Sequence, residues 1–338
     1  MSKIPIILGI ESSCDDTCAA ILQGQKILSN IVSNQDIHKI YGGVVPELAS
    51  RAHQQNIIPV VDAAIKKANI TKEDITAIAF TKGPGLLGSL LVGGSFSKSF
   101  AMGMDIPLIA VNHMQGHILS HFIDEGEAMP EFPFLCLTVS GGHTQIVQVD
   151  SHNKMEVIGT TIDDAAGEAF DKSAKLLGLS YPGGPLIDQY AKNGNPYAFE
   201  FGKPKIKELD FSFSGLKTSI LYKIQNNLQK NPKFIEENLA DLCASIQHSI
   251  VSILLKKLEK AIKQTGIKQL AIAGGVSANS YLRSQLTELA KTKGYSLYIP
   301  KFEYCTDNAA MIAISGYFKY LDKDFADQSE TPSARLPF

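Results

Sequence analysis

Two short stretches of this chain follow one plan, and that plan narrows the fold more than any other feature. Residues 5–22 read as an apolar run, IPIILGI, a polar turn, ESSCDDT, and a second apolar run, CAAIL. Residues 133–149 read FPFLCLTV, then SGGHT, then QIVQV. Two apolar runs around a turn rich in Ser, Asp or Gly are the mark of a β-hairpin. Each turn also ends in a threonine, Thr17 and Thr144. Two matching hairpins about 125 residues apart suggest two related lobes. The length of 338 residues points the same way, since one ordinary core does not extend so far.

The segments between and after the hairpins alternate in type. Pro46 opens a helical pattern through PELASRAHQQNIIPVVDAAIKKA, and proline suits a first turn. ITAIAFTKG reads as a strand entering GPGLLGS, followed by a small-residue helix, LLVGGSFSKSFAMGM. IPLIAVN is a further strand that leads straight into HMQGHILSHF. After a helix-rich stretch over 233–265, QLAIAGGVSANSYLRSQL reads as strand, double glycine and helix. YSLYIP is another strand and DNAAMIAISGYFKYL a closing helix. Strands alternating with helices predict an α/β fold with mainly parallel connections. The polar, proline-containing segment 331–338 is expected as a loosely held tail.

Bulk numbers limit the function. Hydrophobic content of 44% and charged content of 20% are those of a folded globular chain. A formal charge of −2 excludes a protein that coats nucleic acid by charge alone, while leaving room for a local basic patch. Cys14, Cys18, Cys136, Cys243 and Cys305 are odd in number and scattered. Without zinc-ribbon spacing, they are expected as reduced thiols in a cytosolic compartment. The N-terminal apolar run is too short for a signal peptide. With no run of about 18 apolar residues, no membrane span is expected.

His113 and His117 stand four apart in HMQGHILSHF. On a helix that spacing puts both imidazoles on one face, as a bidentate metal site requires; a solvated face also produces such pairs by chance. His121 extends the same face, as a supporting group or as plain surface. A zinc protease of the HExxH type needs a glutamate directly after the first histidine, and Met114 stands there. Asp307, in TDNAA, opens the closing helix, where an aspartate commonly serves as N-cap. At a strand end of an α/β fold it also points into the ligand crevice. There it would complete a His–His–Asp ligand set with open positions.

The two turns carry different chemistry. Ser140, Gly141 and Gly142 leave backbone N–H groups open to a phosphate. Glu11, Asp15 and Asp16 suit a cation or the positioning of a nucleophile. TTIDDAAGEAFDKSAKLLGL places Asp163 and Asp164 at a helix start and Asp171 beyond it. YPGGPLID sets Gly183 and Gly184 before Asp188, a carboxylate suited to a ribose diol. AIAGGVSAN puts Gly274, Gly275 and Asn279 at a strand-to-helix junction, a usual place for a phosphate or an adenosine edge. Singly these are caps and turns; together they predict a nucleotide site. Lys203, Lys205 and Lys207, followed by FSFSGLKT with Lys217, form a basic-aromatic stretch suited to a nucleic-acid backbone. A solvated loop reads the same way.

Taken in order, GIESSCDDT, YGGVVPELASRAH, KGPGLLGSLLVG, NHMQGH, VSGGHT, DDAAGEAFDK, YPGGP, FSFSGLKT, AGGVSAN and CTDNAA resemble the motif set of the TsaD family, the tRNA N6-adenosine threonylcarbamoyltransferases. The resemblance runs from about residue 8 to about residue 320, and ten motifs in one order are specific where any single one is weak. It implies an α/β fold of the ASKHA (actin/hsp70/sugar-kinase-like) type, two related lobes with a nucleotide cleft between them. The lobes are expected as 1–112 plus 308–330 and as 113–307, with 331–338 as tail.

The resemblance further implies transfer of threonylcarbamoyl from threonylcarbamoyl-AMP to N6 of adenosine 37 in tRNAs reading ANN codons. The implied metal ligands are His113, His117 and Asp307, holding one divalent iron or zinc ion per subunit. The implied adenylate contacts are Thr138, Val139, Ser140, Gly141 and Gly142, with Asp171, Gly184, Asp188 and Asn279 around the nucleoside. Asp15 and Asp16 are expected to face the reacting centre. Thr138 stands where archaeal and eukaryotic relatives tend to carry a metal-binding tyrosine, and Asp16 where some carry glutamate. The Thr138 pattern resembles the bacterial or organellar branch. That branch implies a TsaB-like paralogue and a TsaE-like ATPase as partners, in the cytoplasm and away from membranes. A sugar- or acetate-type kinase on the same fold is the rival; it needs magnesium, which prefers oxygen ligands, and the histidine pair disfavours it. A non-catalytic assembly subunit has no need of the histidine pair or of the full glycine set.

Overall fold

The first apolar run becomes β1 (Ile6–Glu11), and beyond the polar turn the chain returns as β2 (Thr17–Gln23), antiparallel, with Glu11 opposite Cys18. The computed structural model describes residues 4–338 except Asp36, Lys203 and Lys205, with the backbone alone of Lys39. β3 (Lys26–Ser33) adds to β2, again antiparallel. After the single turn α1 (His38–Tyr41), α2 (Pro46–Lys67) crosses to β4 (Ala77–Gly83), which lies parallel to β1. α3 (Leu87–Met104) leads to β5 (Leu108–Asn112), parallel to β4, and α4 (His113–Leu119) follows without a gap.

A second sheet begins with β6 (Phe134–Val139), β7 (Thr144–Ser151) and β8 (Lys154–Thr160), antiparallel neighbours in that order. α5 (Ala166–Leu176), α6 (Gly183–Ala191), α7 (Ser214–Leu228) and α8 (Phe234–Thr265) come next. β9 (Gln269–Ala273) is parallel to β6; α9 (Ser280–Lys293) then leads to β10 (Ser296–Tyr298), parallel to β9. α10 (Ala309–Leu321) closes the helical part of the chain. The strand orders are β3-β2-β1-β4-β5 and β8-β7-β6-β9-β10. The duplicated hairpins thus head two sheets of the same order and the same strand directions.

By internal packing the chain forms two units. One runs to Met129 and resumes at Pro300; the other is Pro130–Ile299. The seams therefore fall away from the expected 112/113 and 307/308. The reason is local: α4 packs on α10, so closely that a Cβ on Gly116 would stand 3.1 Å from Ile312 Cδ1. His113, His117 and Asp307 consequently belong to one unit. Nor is the 331–338 segment loose, since the Ser333 amide donates to Lys82 O at 2.8 Å and the Gly85 amide to Ala334 O at 3.2 Å.

Alternation along β1 sorts its side chains. Ile6, Leu8 and Ile10 enter a core with Ile57, Val60 and Val61 of α2, each worth about 1.5–3 kcal/mol when fully buried. Gly9 lies on the other face, where α10 sits so near that a Cβ would be 2.5 Å from Ala309 O. Parity then puts the last strand residue, Glu11, on the α10 face. The second core gathers Leu135, Leu137 and Val139 of β6 with Phe170 of α5 and Leu254 and Leu258 of α8. α8, at 32 residues, is by length and apolarity a possible membrane crosser. Its apolar side chains are instead packed in the second unit's core.

Candidate metal centre and nucleotide pocket

Two asparagines arrange the metal-type residues. Asn112 caps α4, its Oδ1 accepting from the amides of Met114 at 2.9 Å and Gln115 at 3.4 Å. The helix therefore starts at His113, and His117 falls on the same face one turn later. At α10 the cap is Asn308, whose Oδ1 accepts from the Met311 amide at 3.0 Å. Asp307 is thereby not the N-cap, and its carboxylate is left for the histidines. Asp307 Oδ1 lies 3.5 Å from His113 Nε2 and 3.4 Å from His117 Nε2. His121 sits in the 3-10 turn after α4 and is outside this three-residue cluster.

Behind His113 stands Glu11, fully buried. Its Oε2 lies 3.0 Å from His113 Nδ1, accepts from Thr81 Oγ1 at 2.7 Å, and its Oε1 accepts from the Ser13 amide at 2.5 Å. Ser13 Oγ is also 3.2 Å from His113 Nδ1. A carboxylate on Nδ1 fixes the tautomer that leaves the Nε2 lone pair for a metal. Sequence reasoning grouped Glu11 only with the acidic turn and missed Ser13 and Thr81. The strand parity that aims Glu11 was the available signal.

The cluster's electrostatics suit a cation. Burial disfavours a charge on His113, yet Glu11 and Asp307 together hold its pKa well above the ordinary value. Burial raises the Asp307 carboxyl, but the two histidines outweigh it and hold it far below the carboxylate range. Burial lowers His117, keeping it neutral as a metal ligand must be. Its buried Nδ1 has no hydrogen-bond partner among the described residues, so the ring's polar contact is through the cluster. Separations of 3.4 and 3.5 Å are long for N–H···O bonds. These two separations are those of donors about 2.1 Å from one tetrahedral ion, which stand about 3.4 Å apart, and all three donor atoms lie within 4.8 Å of one another. The donor set of two imidazoles and a carboxylate fits zinc or iron better than magnesium.

The ESSCDDT turn is held from both sides. His53 of α2, buried, lies 2.8 Å from Thr17 Oγ1 through Nδ1, and its Nε2 is 3.1 Å from the Cys14 carbonyl oxygen. Because a carbonyl only accepts, Nε2 carries the proton and Nδ1 accepts from Thr17. Ser89 Oγ donates to the same Cys14 carbonyl, and Ser12 Oγ donates to Ser89 O at 3.0 Å. Glycines let α3 and the loop before it come this close: a Cβ on Gly93 would stand 2.3 Å from Ser12 Oγ, and one on Gly85 2.5 Å from Ser13 O. Asp15 and Asp16 are half-buried on this turn and are not part of the ligand cluster. His53 ends the YGGVVPELASRAH motif, and no local spacing in the sequence marks its contact with the turn.

In the second unit a cavity of about 270 Å³ gathers Gly141, Asp171, Gly184, Asp188 and Asn279, with Phe170 and Gly275 among its other walls. Asp171 accepts from the amides of Gly183 at 2.8 Å and Gly184 at 3.2 Å, and burial raises its pKa. Asp188 accepts from the Ser280 hydroxyl at 2.8 Å. Asn279 caps α9 through Oδ1, and its Nδ2 donates to Gln247 Oε1 at 2.6 Å. The SGGHT turn is closed by the Ser140 amide donating to His143 O at 2.8 Å. Gly141 and Gly142 are exposed, and a Cβ on either would meet nothing within 4 Å.

Four of the predicted adenylate residues are not in this wall. Thr138 and Val139 are fully buried strand residues, and Val139 packs into the core. Ser140 and Gly142 belong to the turn but do not line the cavity. Asp163 holds the FSFSG loop, accepting from Ser212 Oγ at 2.5 Å and the Phe213 amide at 2.8 Å. Asp164 pairs with Lys172 at 2.7 Å. Of the basic-aromatic stretch, Lys203 and Lys205 lie outside the described residues. Phe211 and Phe213 are fully buried, so hydrophobic packing, rather than base stacking, claims those rings.

A family model described as TsaD, tRNA N6-adenosine threonylcarbamoyltransferase, matches residues 26–314. The chain is 64% identical over 333 residues to the tRNA N6-adenosine threonylcarbamoyltransferase of Christiangramia forsetii, with 98% of each chain covered. It is 62% identical over 334 residues to the enzyme of that name from Riemerella anatipestifer, again covering 98% of each. Full-length HypF, in a phosphate- and nucleotide-bound crystal structure, superposes with a TM-score of 0.63 at 15% identity, over 96% of this chain and 48% of HypF. Acidaminococcus fermentans (R)-2-hydroxyglutaryl-CoA dehydratase component A gives 0.53 at 16% identity, over 94% and 99%. At such identity these two structures speak for the fold alone, the two-lobed ASKHA type. Matched by the family model over most of its length and by close relatives end to end, the chain belongs to the TsaD family of tRNA N6-adenosine threonylcarbamoyltransferases.

Proposed function

We propose that the chain transfers a threonylcarbamoyl group from threonylcarbamoyl-AMP to N6 of adenosine 37 in ANN-decoding tRNAs, releasing AMP. The observation that carries this reading is the His113–His117–Asp307 cluster with Glu11 behind it, which a magnesium-dependent kinase has no use for. The cavity beside Gly141 takes the adenylate. Open amides at Gly141 and Gly142 receive the phosphate as negative charge grows on the departing AMP, and Asp188 receives the ribose diol. Asp171 acts at one remove, holding the Gly183–Gly184 turn in shape. An iron or zinc ion held by His113, His117 and Asp307 supplies Lewis acidity when bound.

The chemistry balances as an acyl transfer. The adenine N6 lone pair attacks the carbamoyl carbon, the new C–N bond forms, and the carbonyl–phosphate C–O bond breaks with its electrons leaving on AMP. The N6 proton passes to a carboxylate of the acidic turn, Asp15 or Asp16. The target base must leave its stack to react. Cytoplasmic location and dependence on a TsaB-like paralogue and a TsaE-like ATPase belong to the same reading. The test is incorporation of labelled threonine into ANN-decoding tRNA, with ATP, bicarbonate, the adenylate-forming enzyme and both partners supplied. Label on adenosine 37 that disappears with His113→Ala is the expected result. No label, with ATP consumed on a small hydroxyl compound, would contradict it in favour of a kinase.

A further inference from the structure

The end of the chain runs back over the metal centre's supports. A Cβ on Gly83 would stand 2.0 Å from Ser333 O, and one on Gly94 3.1 Å from Pro332 Cγ. These two glycines make room for the returning backbone. The Ser333 amide donates to Lys82 O at 2.8 Å, and the Gly85 amide donates to Ala334 O at 3.2 Å. Asn112 Nδ2 donates to Pro337 O at 2.9 Å. Glu330 adds an ion pair to Lys82 at 2.7 Å.

One of these anchors adjoins His113, and a second reaches it through Leu86 and Ser13. Asn112 precedes it and caps its helix through Oδ1; the Pro337 carbonyl takes the other end of the same amide group and so fixes its rotation. Gly85 precedes Leu86, whose amide donates to Ser13 O at 2.7 Å, and Ser13 Oγ lies 3.2 Å from His113 Nδ1. A cavity of about 280 Å³ is lined by Lys82, Asn112, Glu330 and Leu336 among others.

We propose that segment 332–337 is a positioning strap for the metal centre, setting the Asn112 cap and the Gly85–Leu86 loop so that His113 is presented as a ligand. The inference rests on the metal reading of the cluster. The test is zinc affinity of the metal-stripped protein, measured by competition with a chromophoric chelator. Removal of residues 333–338 weakens zinc binding about tenfold, the scale of lost support around a ligand. Asn112→Ser, which keeps a capping oxygen and cannot reach Pro337, weakens it severalfold. Truncation in the Asn112→Ser background then adds less than it does in the wild type. Wild-type affinity in the truncated chain overturns the strap while leaving the metal reading standing. Absence of zinc binding by the wild type overturns both. If the truncated chain does not fold, Asn112→Ser alone decides, and unchanged affinity there sinks the proposal.

Discussion

The turn between β1 and β2 and the turn between β6 and β7 occupy the same place in sheets of the same strand order, and they are built in opposite ways. The first is crowded with side chains. Glu11, Ser12, Ser13 and Thr17 are buried, His53 ties its middle, Cys14, to its last residue, Thr17, and small residues of α3 press against it. The second is nearly bare, with Gly141 and Gly142 exposed. Even the matching threonines differ in duty. Thr17 donates to a histidine, whereas Thr144 Oγ1 accepts from the Ala166 amide at 2.8 Å and seats α5. On the proposed reading, the first turn would work through fixed side chains, with Glu11 behind the metal ligand His113, and the second through open backbone suited to a phosphate.

The hardest break of that contrast is His117→Ala. Zinc affinity should fall by more than about a hundredfold, beyond what loss of a supporting group costs, with threonine incorporation lost alongside it. Glu11→Gln should cost about ten- to a hundredfold in zinc affinity, because His113 loses the carboxylate that fixes its tautomer. Chelator competition measures both.

On the other side, Gly167→Ala tests the bare turn without touching it chemically. A Cβ there would stand 2.6 Å from Ser140 O and 2.8 Å from Gly141 Cα. The turn must shift, and AMP should bind about tenfold more weakly, as overpacking by a methyl costs about 1–3 kcal/mol. Calorimetric titration with AMP reads this directly.

The smallest effect concerns pH. Burial lowers the His53 pKa, whereas the unfolded chain titrates near about 6.5. The unfolded state therefore binds more protons between the lowered value and 6.5. Stability from neutral His53 is complete above that range and lost as pH falls through it. Thermal unfolding should show a Tm lower by a few degrees at mildly acid pH than at neutrality. A His53→Gln protein should show a flatter dependence.

Much of this was legible in the sequence, for physical reasons that also mark its limits. The hairpins, α2, α3 and α10 announced themselves by period and by turn residues. β3 and β8 did not, because KILSNIVS and KMEVIGT are half-exposed and mix polar with apolar residues. The histidine pair was readable because four residues make one helical turn. Asp307 was readable as a ligand candidate, but only the structure passes the cap to Asn308. Glu11 meets His113 across 102 residues of chain, a contact that no local spacing encodes. Thr138 and Val139 look like neighbours of a binding turn, and their strand buries them.

The division of labour between the two turns is tested most directly by titrating zinc and AMP separately into the wild type, His117→Ala and Gly167→Ala. The predicted result is a double dissociation: His117→Ala loses zinc and keeps AMP, and Gly167→Ala weakens AMP and keeps zinc. Variants that lose both ligands together, or neither, would contradict it.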